Sequence, residues 1–299
     1  MGKVAFVFSG QGNQFPGMGM ELAARYPEAA EVFSRCDRIR PGTTAQCFQG
    51  TEEELRETRN TQPCLYALER AVAAVLKTRG IYPEGAAGFS LGEVTAAAEA
   101  GVFDQETGFR LVCRRGELMQ EAAETVDTAM AAVLKLTPDV LEAICRDFPG
   151  MYPVNYNCPG QLSVSGQADQ MSSFGAAVKA AGGRMIPLKV RAAFHSPYME
   201  QAARAFRLEL DRAAMRRGNI PLYSNLTARP YTEDPAELLS RQIASPVRWE
   251  ALIRQMIADG FDVFWEIGPG QTLTNMIRRI DPAVTARSVR EVLPEAGPC

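Results

Sequence analysis

Short apolar runs alternate along this chain with longer stretches in which apolar residues recur every three or four positions. The first run, Lys3–Phe8 (KVAFVF), ends in Ser9-Gly10-Gln11-Gly12 and predicts a buried strand that stops at a tight turn. Helical spacing follows over residues 20–36 and 61–78. Pro63 falls inside the start of the second stretch, where a missing N–H costs little. Residues 85–89 read as a strand leading through Ser-Leu-Gly-Glu into an alanine-rich helix over 94–100. A further helix spans 104–123, with Asp104 placed to cap its N-terminus.

The middle of the chain has its own rhythm. Strands are expected over 129–135, 153–157, 161–165 and 184–190, and helices over 137–147 and 167–181. Thr137 and Pro138 open the first of these helices, and Phe148-Pro149-Gly150 closes it. The order β-α-β-β-α-β is that of a ferredoxin-like split unit. Beyond it come a helix over 199–215, a strand over 221–224, a helix over 249–259 and a strand over 263–267 that runs into Gly268-Pro269-Gly270. Strands alternating with helices imply a parallel sheet covered on both faces. The expected fold is therefore α/β, with a parallel-sheet core built from residues 1–127 and 192–299 and a small α+β unit inserted at 128–191.

Composition narrows the function classes. With 46 % hydrophobic and 22 % charged residues the chain has the makings of a packed core, which excludes long disorder. The 32 basic residues against 35 acidic ones argue against a dedicated nucleic-acid binder. No apolar stretch approaches the ~20 residues needed to span a bilayer. Seven cysteines (36, 47, 64, 113, 145, 158 and 299) make no CxxC pair and read as free thiols. With no basic-then-apolar leader, a cytoplasmic protein is expected. One histidine among scattered cysteines gives no metal site.

Four features carry candidate chemistry. Gly88-Phe89-Ser90-Leu91-Gly92 is a GxSxG sequence between a strand and a helix. Such a turn exposes a serine hydroxyl and aims the next N–H at the same space; the alternative is an ordinary glycine-rich loop. A serine needs a base, and His195 is the one imidazole available, although a lone histidine also serves as a structural core residue. Spacing identifies no acidic third partner, so a Ser–His dyad and a triad both stay open. Arg115 lies among Leu111, Val112, Leu118 and Met119 at helical spacing, so it faces inward, whereas Arg114 neighbours Arg110 and Glu117 and reads as solvated. A buried guanidinium needs an anion. That anion is either a substrate carboxylate or a core Asp or Glu. Ser9-Gly10-Gln11-Gly12 could present backbone N–H groups to an anion or form a plain turn; it lacks the ending of a phosphate loop.

A set of ordered motifs adds to this reading. Phe8-Ser9-Gly10-Gln11-Gly12 resembles an FPGQG loop with Ser9 in place of proline. Asn60-Thr61-Gln62-Pro63 matches NTQP, and Gly88-Phe89-Ser90-Leu91-Gly92-Glu93 resembles GHSLGE with Phe89 in place of histidine. Arg115-Gly116-Glu117-Leu118-Met119-Gln120 matches RGxxMQ. Asn155-Tyr156-Asn157-Cys158-Pro159-Gly160-Gln161 resembles NYNSPGQ with Cys158 in place of serine. Phe194-His195-Ser196, Ser245-Pro246-Val247-Arg248-Trp249 and Gly268-Pro269-Gly270 match FHS, SPVRW and GPG. Over nearly its whole length the chain resembles the malonyl-CoA:acyl carrier protein transacylases of fatty-acid synthesis and their polyketide relatives.

The resemblance implies an α/β-hydrolase-like large subdomain with a ferredoxin-like small one. It implies a monomer with no permanently bound cofactor, malonyl-CoA as substrate and a 4'-phosphopantetheinylated acyl carrier protein as partner. Nucleic acid and membrane are not implied. By the same resemblance Ser90 is the nucleophile, His195 the base, and the N–H groups of Gln11 and Leu91 the oxyanion hole. Arg115 grips the malonyl carboxylate, with Gln62 and Gln242 supporting. A backbone carbonyl near Gln242 orients the histidine, which explains the missing acid. Phe194 resembles the form that favours malonyl over methylmalonyl, and Phe89 puts the range of acyl groups in question. Thioester hydrolysis, transfer of another acyl group and a non-catalytic carrier-docking module are the competing readings.

Overall fold

Among the residues that the computed structural model describes (2–190, 192–232 and 234–297), eight strands form two four-stranded sheets. The strands are β1 (Lys3–Phe8), β2 (Gly85–Gly88), β3 (Thr128–Leu134), β4 (Met151–Cys158), β5 (Gln161–Gln167), β6 (Arg184–Pro187), β7 (Phe261–Ile267) and β8 (Thr285–Ser288). The first sheet has the order β2-β1-β7-β8 and is parallel throughout. Its central strand β1 ends in four fully buried residues, Ala5 to Phe8, as a strand covered on both faces must. The second sheet, β4-β5-β3-β6, is antiparallel. The expected α/β class and the split unit are both present.

Helices α1 (Met20–Arg25), α2 (Pro27–Ile39), α3 (Thr43–Gln49), α4 (Thr58–Thr78), α5 (Leu91–Ala100) and α6 (Gln105–Ala123) lie between β1 and β3. Helices α7 (Pro138–Arg146) and α8 (Met171–Ala180) belong to the antiparallel unit. The remaining helices are α9 (Glu200–Arg212), α10 (Pro235–Gln242), α11 (Trp249–Ala258) and α12 (Thr272–Ile280). Asp104 caps α6 as expected, accepting from the Thr107 N–H at 2.7 Å. Thr137 stands at the N-cap of α7 without a side-chain bond.

Several expected elements need correction. The single helix over 20–36 is two, because Tyr26 is extended (φ −123°, ψ 114°), the conformation that a following proline imposes. Pro63 lies well inside α4, which starts at Thr58, so the helix runs on without one of its internal bonds. No ladder forms over 221–224: Leu222 makes one parallel bridge to Ala86 and Tyr223 one antiparallel bridge to Pro230. The strand expected to reach Val190 ends at Pro187. Helices α3, α10 and α12 and strand β8 were not foreseen. Six cysteines are free thiols, and Cys299 lies outside the described residues, as does Arg191 at the expected unit boundary. Among the described residues no helix is long and apolar enough to cross a membrane, and no His/Cys/Asp/Glu group could hold a metal ion.

Candidate active site

The parallel strands deliver their chain to one end of the sheet, and the candidate residues gather there. At the end of β2 the chain reverses into α5 with almost no space. A Cβ on Gly88 would overlap the Gly92 carbonyl, and one on Gly92 would overlap the Phe8 carbonyl of β1. Between these glycines Ser90 takes φ 55° and ψ −107°, outside the basins ordinary residues occupy. Such a conformation costs on the order of 1–3 kcal/mol and persists only where neighbours hold it. Asn225 is one holder: its Oδ1 accepts from the Ser90 N–H at 2.7 Å, and its Nδ2 donates to the Gly88 carbonyl at 2.6 Å. Leu91 is the first residue of α5, so its N–H has no acceptor within the helix.

His195 is buried and also has a positive φ, 63°. Its N–H donates to the Ile243 carbonyl at 3.2 Å. Its Nδ1 lies 3.0 Å from the Gln242 carbonyl, which can only accept, so the ring proton sits on Nδ1. Nε2 is then free to accept from the Ser90 hydroxyl, 2.7 Å away. Burial, and next the Arg115 cation, push the imidazole down to about 4, so it is neutral near pH 7 and able to take a proton. Among the described residues no carboxylate touches the ring; a backbone carbonyl holds it instead.

Arg115 is fully buried on the inward face of α6. One Nη donates to Gln62 Oε1 at 2.9 Å; the other donates to Gln242 Oε1 at 2.7 Å and to Ser90 Oγ at 3.2 Å. Its Nε has no partner. All these acceptors are neutral, so the guanidinium is not in the internal salt bridge that was the alternative. Glu93 stands one amide away: Gln242 Nε2 donates to Glu93 Oε2 at 2.9 Å and to the Ser90 carbonyl at 2.6 Å. Burial lowers Arg115 to about 10 while Glu93 opposes that shift, so it stays a cation. Arg114, one residue back, is half-exposed and pairs with Glu117.

Gln62 and Gln242, from α4 and α10, thus meet on Arg115. Gln242 alone joins the histidine, the arginine, the serine turn and Glu93. Gln11 is in the loop after β1, which the close approach of Gly10 to the Phe89 carbonyl brings against the serine turn. Gln11 also opens a cleft of about 530 Å³ that extends past Phe15 and Arg56 to Leu188 and Lys189. Phe89 packs edge-on against Trp249, ring centres 5.5 Å apart, so it forms wall and not network. Cys158 is buried beside a second cleft of about 600 Å³ between Tyr156 and Arg248.

Three residues of the network escaped the sequence reading as individuals. Asn225 offers no local signal. Glu93, an acid within an alanine-rich helix, carried one. Tyr231, whose hydroxyl donates to Glu93 Oε1 at 2.6 Å, carried none.

The sequence model of the acyl transferase domain matches residues 5–296. The malonyl CoA-acyl carrier protein transacylase of Bacillus subtilis is 37 % identical over 289 residues, covering 94 % of this chain and 91 % of that protein. The same-named protein of Escherichia coli K12 is 36 % identical over 299 residues, covering 97 % of each. Among solved structures, the malonyl CoA-acyl carrier protein transacylase of Clostridium perfringens superposes with a TM-score of 0.93 at 33 % identity, over 98 % of this chain and 96 % of that one. A malonyl-transacylase in complex with its type II polyketide acyl carrier protein gives 0.92 at 34 % identity, over 98 % of each chain.

Proposed function

The chain belongs to the acyl transferase domain family, with the malonyl CoA-acyl carrier protein transacylases, and from that premise we propose that it carries malonyl between CoA and a carrier protein through an acyl-enzyme on Ser90. The observation that supports this most is the placement of Arg115 on the same hydroxyl as His195, 3.2 Å and 2.7 Å away. A cation one hydrogen bond from the nucleophile suits an acyl group whose anionic end is two C–C bonds from the reacting carbonyl. Malonyl is such a group. The incoming carboxylate finds a donor in the Arg115 Nη that faces Ser90 Oγ.

In the first half-reaction the Ser90 proton passes to His195 Nε2 as Oγ attacks the thioester carbonyl. Negative charge builds on the carbonyl oxygen, where the N–H groups of Gln11 and Leu91 receive it. Collapse breaks the C–S bond, and His195 returns the proton to the CoA sulfur. The second half-reaction runs the same steps in reverse with the pantetheine thiol of the carrier as nucleophile. Phe194, buried directly before His195, is read as the residue that crowds an α-methyl group. The two sheets are read as two subdomains, 1–127 with 192–299 and 128–191, in a cytoplasmic monomer with no resident cofactor.

The test is intact mass spectrometry with peptide mapping after brief exposure to malonyl-, acetyl- and methylmalonyl-CoA in competition. A dominant malonyl adduct on Ser90, lost in Ser90→Ala, is expected. An adduct of another acyl group keeps the mechanism and overturns the substrate. Free CoA without an adduct points to hydrolysis, and an intact thioester without an adduct to a docking module.

A further inference from the structure

Ser9 stands where the resemblance has proline, and the reaction just described makes no use of it. It is fully buried and immediately follows β1. Its N–H donates to the Ile267 carbonyl of β7 at 3.1 Å, a bond that proline could not make. Its Oγ donates to Glu69 Oε1 on α4 at 2.8 Å. The other oxygen of Glu69 accepts from Thr95 Oγ1 on α5 at 2.6 Å. Neither Glu69 nor Thr95 is exposed, and among the described residues no cation forms an ion pair with Glu69; its neighbour Arg70 pairs with Glu99 instead. A carboxyl group buried between two hydroxyls is costly to keep, and a proline would stiffen the same turn without it.

The positions of the two hydroxyls give that carboxylate a use. Ser9 is two residues before Gln11. Thr95 is four residues after Leu91, one turn along the same helix and on the same face. Space around Ser9 is also closed: a Cβ on Gly268 would overlap its Oγ, and one on Gly92 would press on its carbonyl. We propose that Glu69 is a positioning residue that sets the separation of the Gln11 and Leu91 N–H groups by holding Ser9 and Thr95 at once. Burial pushes its carboxyl up to about 8, so a neutral amide of the same shape is a fair replacement.

The assignment rests on the reading of Gln11 and Leu91 as the oxyanion donors, and the experiment separates the two. Single-turnover acylation of the full-length enzyme by malonyl-CoA is followed by quenched intact mass spectrometry for wild type, Glu69→Ala, Glu69→Gln, Ser9→Ala and Ser90→Ala. Losing one oxyanion donor costs about 10²–10³-fold, and displacing one costs less. Glu69→Ala should therefore lower the maximal acylation rate about 10- to 100-fold, with the half-saturating malonyl-CoA concentration unchanged. Glu69→Gln should recover to within a few-fold of wild type. Ser9→Ala, which keeps the Thr95 bond and remains informative if Glu69→Ala does not fold, should fall between them. Wild-type maximal rates in Glu69→Ala or Ser9→Ala, or a defect seen only in half-saturation, overturn the assignment of Glu69 alone. An adduct that persists in Ser90→Ala overturns the underlying reading of the site.

Discussion

The two sheets bury different kinds of residue. At the end of the parallel sheet Arg115, Glu69, Glu93, His195 and Gln242 are all buried, and each has polar partners from other elements. The antiparallel sheet and its helices close over Ala131, Val133, Leu141, Leu162, Val164 and Phe174, an apolar core. Its buried polar residues alternate with these along the strands and point the other way; the Ser165 hydroxyl, for instance, meets the Phe194 carbonyl. Strand β4 packs on α11 and α12, and Arg279 of α12 donates to Gln161 Oε1 and the Pro159 carbonyl, so the small unit is joined to the large one away from the network around Ser90. Parallel strands end together, and their loops and helix starts supply oriented donors and acceptors there. That is where a folded chain can hold buried charge, and the small sheet supplies wall.

The largest expected break in this contrast comes from Arg115→Ala. Removing a charge-assisted partner costs a few kcal/mol, so malonyl transfer should fall roughly 10²-fold or more. Transfer of acetyl, which has no carboxylate, should fall far less. Steady-state kcat/KM for both CoA esters checks this, and equal losses would make Arg115 a structural residue whose cation serves only Gln62 and Gln242.

How much of this contrast could be seen in the sequence depends on how local its cause is. The GxSxG spacing is a local steric requirement, and the overlap of Gly88 with Gly92 is its physical form. The inward face of Arg115 follows from four apolar neighbours at helical spacing. The parallel core and the βαββαβ order follow from runs of apolar residues. By contrast, Asn225 reaches Ser90 across 135 positions, and Ser9 reaches Glu69 across 60, with no pattern around Asn225 or Glu69 to announce the pairing. The orienting carbonyl of Gln242 is a backbone group that every residue carries, so only the resemblance pointed to it. Strand β8, TARS, has one apolar residue and takes its place by pairing with β7. Helices α3, α10 and α12 are seven to nine residues long, too short for periodicity to separate them from loops.

Titration sharpens the contrast, with a smaller effect near neutrality. To serve as the proposed base His195 must be neutral, and burial holds it down to about 4. The acidic limb of kcat/KM should therefore be flat through pH 5–7 and fall tenfold per unit below about 4. Stability should carry two opposite signatures. The imidazole is lowered from its ordinary 6.5, so the unfolded chain binds the extra proton. Its contribution is present above about 6.5 and lost as pH falls through about 4. Glu69 and Glu93 are raised from 4.5 to about 8 and about 7, chiefly by burial. Their contribution is present below about 4.5 and lost as pH rises through 7–8. Between about 4.5 and 6.5 the histidine offsets one of the two carboxyls, so chemical denaturation should show stability falling with pH most steeply above about 6.5, and Glu69→Gln should flatten that alkaline slope. An unchanged alkaline slope in that variant would mean that Glu69 is charged in the folded protein.

The smallest effect on chemistry is expected from the small sheet. Leu141 is fully buried in its apolar core and touches none of the network around Ser90. Truncation to alanine should cost about 2–5 kcal/mol of stability, from lost burial and the cavity left behind. If that unit is wall, the folded fraction of Leu141→Ala should still acylate Ser90 at nearly the wild-type rate at a temperature well below its melting point. Its thermal midpoint should drop by several degrees. A variant that stays folded yet loses acylation in proportion to Arg115→Ala would show that the packing of the antiparallel core positions the reacting groups. The division between a charged end that does chemistry and a dry sheet that supports it would then have to be given up.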